Sequence, residues 1–157
     1  MIRRRNLPRT LDESCRLGID SLDRGLESLL SCLGDLMAVV EGGLEEAAIG
    51  NAIDMLDAYA RRQFSIEERM MAGVGYHELE THRSHHRYFI ARLEHLKRDW
   101  KRDRRLPEES LSFFANWVIA HITAIDRSFG EFASIAKRYD SPVEAPTAHL
   151  WPSEGRP

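Results

Sequence analysis

The chain has 157 residues, of which 43% are hydrophobic and 30% charged, with a formal net charge of −3. That is about one domain's length, enough to bury roughly two-thirds of the surface its unfolded form exposes without disulfide staples. The mild acidity argues against a nucleic-acid binder, and no run approaches the ~20 apolar residues of a membrane span.

In chain order, residues 1–16 read as an N-terminal arm with little periodicity. Its basic start, Met1-Ile2-Arg3-Arg4-Arg5, is not followed by a signal-type apolar stretch, so the expectation is a cytoplasmic protein. Cys15 and Cys32 have no ligand-type spacing and are expected to be free thiols, Cys32 as a small core residue. Residues 17–139 then repeat one pattern four times. Ile19, Leu22, Leu26, Leu29, Leu33, Leu36 and Val40 alternate steps of three and four, one stripe of a helix that Gly42-Gly43 ends. The second stripe runs Ile49, Ile53, Leu56, Ala60, Gln63, Glu67 and Met70, and stops at Gly73 and Gly75. A third runs Leu79, His82, His86, Phe89, Leu93, Leu96 and Trp100. Pro107 suits the first turn of a fourth, whose stripe is Leu111, Phe114, Val118, His121, Ile125 and Phe132. Short connections between long amphipathic helices predict an all-α, up-down-up-down four-helix bundle. Residues 140–157, rich in proline and polar residues and containing His149 and Trp151, are expected to form a flexible tail.

Polar residues interrupt these seams at one height. Counted from the turns at ~1.5 Å per residue, Leu26, Gln63, Glu67, His82, His86 and His121 fall within a turn or two of one cross-section. A buried carboxylate or unpaired imidazole costs several kcal/mol unless something compensates it. Spacings of four, as in Gln63/Glu67 and His82/His86, point two side chains the same way, which is how helix pairs hold an ion. Nitrogen and carboxylate donors suit iron, manganese or zinc, and the absence of cysteine ligands disfavours cluster chemistry. The bland alternative is a polar layer in which the histidines donate to Glu67; three histidines on two helices meeting a glutamate favour the ion. His77, His85 and His95 fall off the seam and are expected at the surface. The basic stretch Lys97 to Arg105, with interspersed aspartates, reads as a solvated helix end whose cations complement the helix dipole.

These residues also carry a family likeness. Leu17-Gly18-Ile19 with Leu22-Asp23, the stretch Tyr59 to Met71, the set Tyr76, His82, His86 and Phe89, and the set Trp117, His121, Ile122 and Asp126 together resemble the hemerythrin family, bacteriohemerythrins in particular. The likeness spans roughly residues 11–132. It implies a non-heme iron protein in which His82, His86 and His121 hold one iron, with Glu67 and Asp126 as the carboxylates that bridge to a second. The two histidines of that second, oxygen-binding iron correspond to Leu26 and Gln63 here. Leucine cannot ligate, and a neutral amide is a poor iron ligand, so Gln63 is a weak candidate. The resemblance therefore implies a reduced site holding one iron rather than two, with manganese or zinc as other fits. The partners implied are the metal ion and O2 or another small anion or gas; no catalytic residue and no protein partner is indicated.

Family oxygen binding draws two electrons from an iron pair, so oxygen carriage of that kind is expected to be lost or weakened. The alternative is a working diiron protein for oxygen binding, storage or sensing, its second iron completed by Gln63, Glu27 or water. A superoxide- or peroxide-handling enzyme and a metal-free interaction bundle are the remaining readings. Asp126 enters by resemblance alone, because five residues from His121 place it about 140° around a regular helix. It must approach from the flank or through a distorted helix.

Overall fold

The computed structural model describes residues 7–140. Helix α1 is Asp20–Glu41, α2 Glu46–Gly73, α3 Leu79–Asp103, α4 Glu108–Ala120 and α5 Arg127–Asp140, and the described residues contain no strand. Between α4 and α5 lies a π-helical segment, His121–Asp126. The backbone stays helical through Ala120, His121 and Arg127, so α4, the π turn and α5 form one rod, the fourth of a four-helix bundle. The tail expected from residue 140 onward, with His149 and Trp151, lies beyond the described residues apart from Asp140, the last residue of α5.

Both early helix ends close in the way their glycines require. Gly43 and Gly75 take left-handed backbone (φ 60° and 67°), which costs glycine nothing. Leu44 N–H then reaches Val39 O and Tyr76 N–H reaches Met71 O, wrapping the orphan carbonyls of α1 and α2. Pro107 sits at the N-cap of α4, one position before the first turn. Ion pairs fix the neighbour relation of α2 and α3. Glu46 meets Arg104, Asp54 and Asp57 meet Lys97, Arg61 meets Glu94, and Glu68 meets Arg83, so one number rises as the other falls. The two helices are antiparallel.

The core forms where the apolar stripes converge. Leu22, Leu26, Leu29, Leu33 and Leu36 from α1 meet Ile53, Leu56 and Ala60 from α2 and Phe89, Leu93 and Leu96 from α3, all buried. Leu111, Phe114 and Val118 complete it from α4. Ile19 and Val40, at the ends of the first stripe, are only half-buried. In α2 the buried methionine is Met71 rather than Met70. Along the fourth rod the stripe holds as far as His121 and then slips by one. Ile125 and Phe132 were expected inward; Asp126, Phe129 and Ala133 are the buried residues instead. The π turn spends an extra residue on its circuit, which advances every later side chain by one position.

Residues 7–16 are held against this frame. Asp12 Oδ1 accepts the N–H groups of Ser14 and Cys15, and Glu27 Oε1 accepts Leu11 N–H at 3.2 Å. Leu11 and Leu17 are buried. Gly130 leaves the space for Leu17, since a Cβ there would lie 2.9 Å from the Leu17 carbonyl. Cys15 and Cys32 are both free thiols, half-buried and packed against the core.

Candidate metal centre

Three of the four rods contribute to one buried cluster. Glu67 comes from α2, His82 and His86 from consecutive turns of α3, and His121 and Asp126 from the two ends of the π turn. Each is at most 4% exposed. The π turn answers how Asp126 arrives. Arg127 N–H bonds Ile122 O, five residues back, so the wider turn brings Asp126 round to the face of His121. Thr123 sits on the outer side of the bulge, where its hydroxyl donates to Ile119 O at 2.8 Å and lies 3.3 Å from Ala120 O. This is the back-bonding to the preceding turn that a helical threonine commonly makes.

Donor atoms from all five residues lie within 4.8 Å of one another. Glu67 Oε2 is 3.1 Å from His86 Nε2 and 3.6 Å from His82 Nε2. Asp126 Oδ1 is 3.1 Å from His121 Nε2 and 3.3 Å from His82 Nε2, and those two imidazole nitrogens face each other at 3.4 Å. Close as they are, these contacts are poorly aligned. Glu67 Oε2, His86 Nε2 and both Asp126 oxygens lack a hydrogen-bond partner among the described residues. Buried polar atoms in this number are seldom left so. Donors about 2.1 Å from a shared ion sit roughly 3.0–3.4 Å apart, so the spacing suits a transition-metal ion better than a bonded polar layer.

The charges of the cluster pull apart accordingly. Burial pushes the Glu67 carboxyl up, but the rings of His82 and His86 and the charge on His86 outweigh it and hold Glu67 down at about 2. Asp126 goes the other way: burial, then the Glu67 charge, raises it well above the usual carboxylate range. Burial and the neighbouring His86 depress His121 to about 3. For His86, burial works against the charged form, yet the Glu67 contact and charge and the Glu68 bond raise it. Shifts in opposite directions, gathered in one buried cluster, are what functional sites show.

Three side chains that support the site lie off the stripes: Glu68, Phe64 and Trp117. His86 Nδ1 lies 2.8 Å from Glu68 Oε1, which fixes the ring with Nε2 turned toward the cluster. Phe64 stacks on His86 at 3.8 Å between centroids, and Trp117 stacks on His121 at 4.4 Å. His77 and His95 are exposed and His85 is half-buried, 5.8 Å from His121 between ring centroids.

On the α1 side of Glu67 the chemistry differs. Gln63, 3% exposed, donates through Nε2 to Glu67 Oε1 at 2.7 Å and lies 3.4 Å from Leu22 O. Leu26 is buried at the same level. Gly25 makes the room, since a Cβ there would lie 1.7 Å from Gln63 Oε1. A glycine inside a helical pattern, without a turn to explain it, was the available sequence signal. Glu27 is turned away and occupied, accepting Leu11 N–H and lying 3.1 Å from Arg16 Nη2.

The chain is similar to known proteins in sequence and in fold. Residues 20–133 match the profile of the family described as Hemerythrin HHE cation binding domain. A bacteriohemerythrin of Stenotrophomonas maltophilia is 24% identical over 119 residues, 76% of this chain and 77% of that protein. One from Clostridium acetobutylicum is 29% identical, covering 72% of this chain and 92% of its own. Myohemerythrin-1 of Phascolopsis gouldii is 27% identical over 123 residues, 76% of this chain and 89% of that one. A crystal structure of a hemerythrin point mutant superposes with a TM-score of 0.67 at 20% identity, over 71% of this chain and 86% of that one, and supports the fold. The profile match runs through every rod of the bundle and through all five clustered donors, and by it the chain belongs to the hemerythrin HHE cation-binding family.

Proposed function

We propose that this protein is a hemerythrin-type metal-binding module with a single-ion centre, held by His82, His86, His121, Glu67 and Asp126. The observation that carries the reading is the Gln63 Nε2–Glu67 Oε1 bond of 2.7 Å. A carboxylate bridging two ions would turn one oxygen to each. Here Oε2 faces the imidazoles while Oε1 is met by an amide N–H, a neutral donor where a second cation would otherwise sit. Leu26 adds apolar atoms on that side, and burying a second charge beside them is costly. Glu27 is already engaged by the N-terminal arm, which weakens the version of a diiron site that recruits it.

Bound iron would supply a redox-active Lewis acid able to take water, a small anion or a gas; manganese or zinc fits the same donors. The chain's own residues do the rest. Glu68 fixes the His86 ring, Phe64 and Trp117 cover His86 and His121, and the apolar core excludes bulk water. With one ion instead of a pair, oxygen carriage of the two-iron kind is lost or weakened, leaving iron handling or small-molecule sensing as the role.

Metal analysis of protein purified without added metal tests this. The expected result is about one firmly bound ion per chain, with no oxo-bridged diiron absorption in air. The double variant Leu26→His/Gln63→His should raise the count toward two. Two firmly bound ions on the wild-type chain would overturn the single-ion reading and restore the diiron one.

A further inference from the structure

The start of α2 and the end of α3 enclose a cleft of about 500 Å3, within the range of small-molecule sites. Measured along α2 from Gly50 to Glu67, it lies about 25 Å from the metal centre. Its lining includes Glu46, Gly50, Lys97, Trp100, Lys101 and Arg104. Trp100 is 5% exposed, yet its indole Nε1 has no acceptor among the described residues. Gly50 keeps the approach to that nitrogen open, because a Cβ there would stand 3.4 Å from it. A buried donor of this kind calls for an acceptor.

The surrounding charge says what sort of acceptor. Lys97 is committed to Asp54 at 2.9 Å and Asp57 at 2.8 Å. Arg104 lies 3.4 Å from Glu46 and 5.8 Å from the Trp100 ring centroid, carried there by a left-handed residue at the end of α3 (φ 52°). Both carboxylates lining the cleft, Glu46 and Asp54, thus already face a cation. Lys101 is exposed and has no carboxylate partner among the described residues. Helix α2 also begins without a side-chain cap, so the N–H groups of its first turn add partial positive charge beside Glu46 and Ala47. Uncommitted donors and cations outnumber uncommitted acceptors.

We propose that this cleft binds a small molecule through an oxyanion group, a carboxylate or a phosphate, which accepts the Trp100 indole N–H and is neutralised by Lys101. The site is independent of the metal centre and draws on the basic stretch after Lys97.

The test is an NMR titration of the full chain that follows the indole N–H signals of its three tryptophans. Inorganic phosphate and succinate are each added against sodium chloride at matched ionic strength. The Trp100 signal should shift and saturate with at least one of the two, while that of Trp117, beside the metal centre, stays in place. The tighter probe identifies the preferred head group. In Lys101→Glu, an exposed change that leaves the fold intact, affinity should fall roughly tenfold or more. A Trp100 signal unmoved by on the order of 50 mM of both anions would overturn the proposal. So would an equal response to sodium chloride, or wild-type titration by Lys101→Glu.

Discussion

Gly25 and Gln63 form a pair whose energetics can be separated. The amide of Gln63 rests where a Gly25 side chain would stand, and it delivers its N–H to Glu67 Oε1. In Gly25→Ala the new methyl must displace the carboxamide. A flexible side chain moves easily, so the cost lies in the buried carboxylate oxygen that loses its donor, about 1–3 kcal/mol. Alanine in a helix interior is meanwhile better than glycine by about 1 kcal/mol. In the wild-type background the two effects should cancel or leave the protein destabilised. In Gln63→Ala there is nothing to displace, and Gly25→Ala should then stabilise by about 1 kcal/mol. A double-mutant cycle by denaturant unfolding measures the coupling. Equal effects of Gly25→Ala in both backgrounds would show that the glycine does not serve the glutamine. Such pairs are illegible in a sequence, because nothing in the spacing of α1 and α2 says which two residues touch.

At the level of elements the fourth rod is the informative one. The stripes of α1 and α3 could be read directly because an unbroken α-helix repeats its face every three or four residues. The fourth stripe failed beyond His121 for one reason: a π turn carries an extra residue, and periodicity has no means of announcing where it falls. Asp126 was accordingly reachable only through family likeness. The same geometry makes an unusual deletion tolerable. Removing Thr123 lets the segment close as an ordinary α turn, with Asp126 four residues from His121 and with Phe129 and Ala133 still inward. The Thr123 hydroxyl bonds that go with it, to Ile119 O and Ala120 O, are side-chain additions that the closed helix does not need. Deleting exposed Ser84, between His82 and His86, has no bulge to absorb it and would turn everything on one side by about 100°. Thermal unfolding should therefore place the Thr123 deletion within a few degrees of wild type, still binding metal, and the Ser84 deletion far below. A Thr123 deletion that unfolds or loses the metal would mean the π turn does more than absorb a residue.

For the molecule as a whole, an ion held by the five clustered donors would cross-link three rods, because Glu67, His82 and His86, and His121 and Asp126 belong to α2, α3 and the fourth rod respectively. The first rod contributes none of the five donors and brings Leu26, Gly25 and the Leu22 carbonyl beside them, so it is tied by apolar packing. Without an ion, folding must bury five donors that satisfy one another badly; with one, the same residues become a reason to fold. A ligand that binds only the folded chain stabilises it by about 2.7 kcal/mol at a hundred times its dissociation constant. For a chain of this length that is roughly 5–10 °C in Tm. Ferrous ion or zinc should raise the melting temperature by about that much, and a chelator should return it. His82→Ala should abolish the response. Hydrogen exchange should slow most in α3 and the π turn on loading and least in α1, which the ion does not reach. If melting is indifferent to metal and chelator alike, the five donors are a polar layer after all, since an ion held at this cross-link must appear in the stability of the three rods it joins.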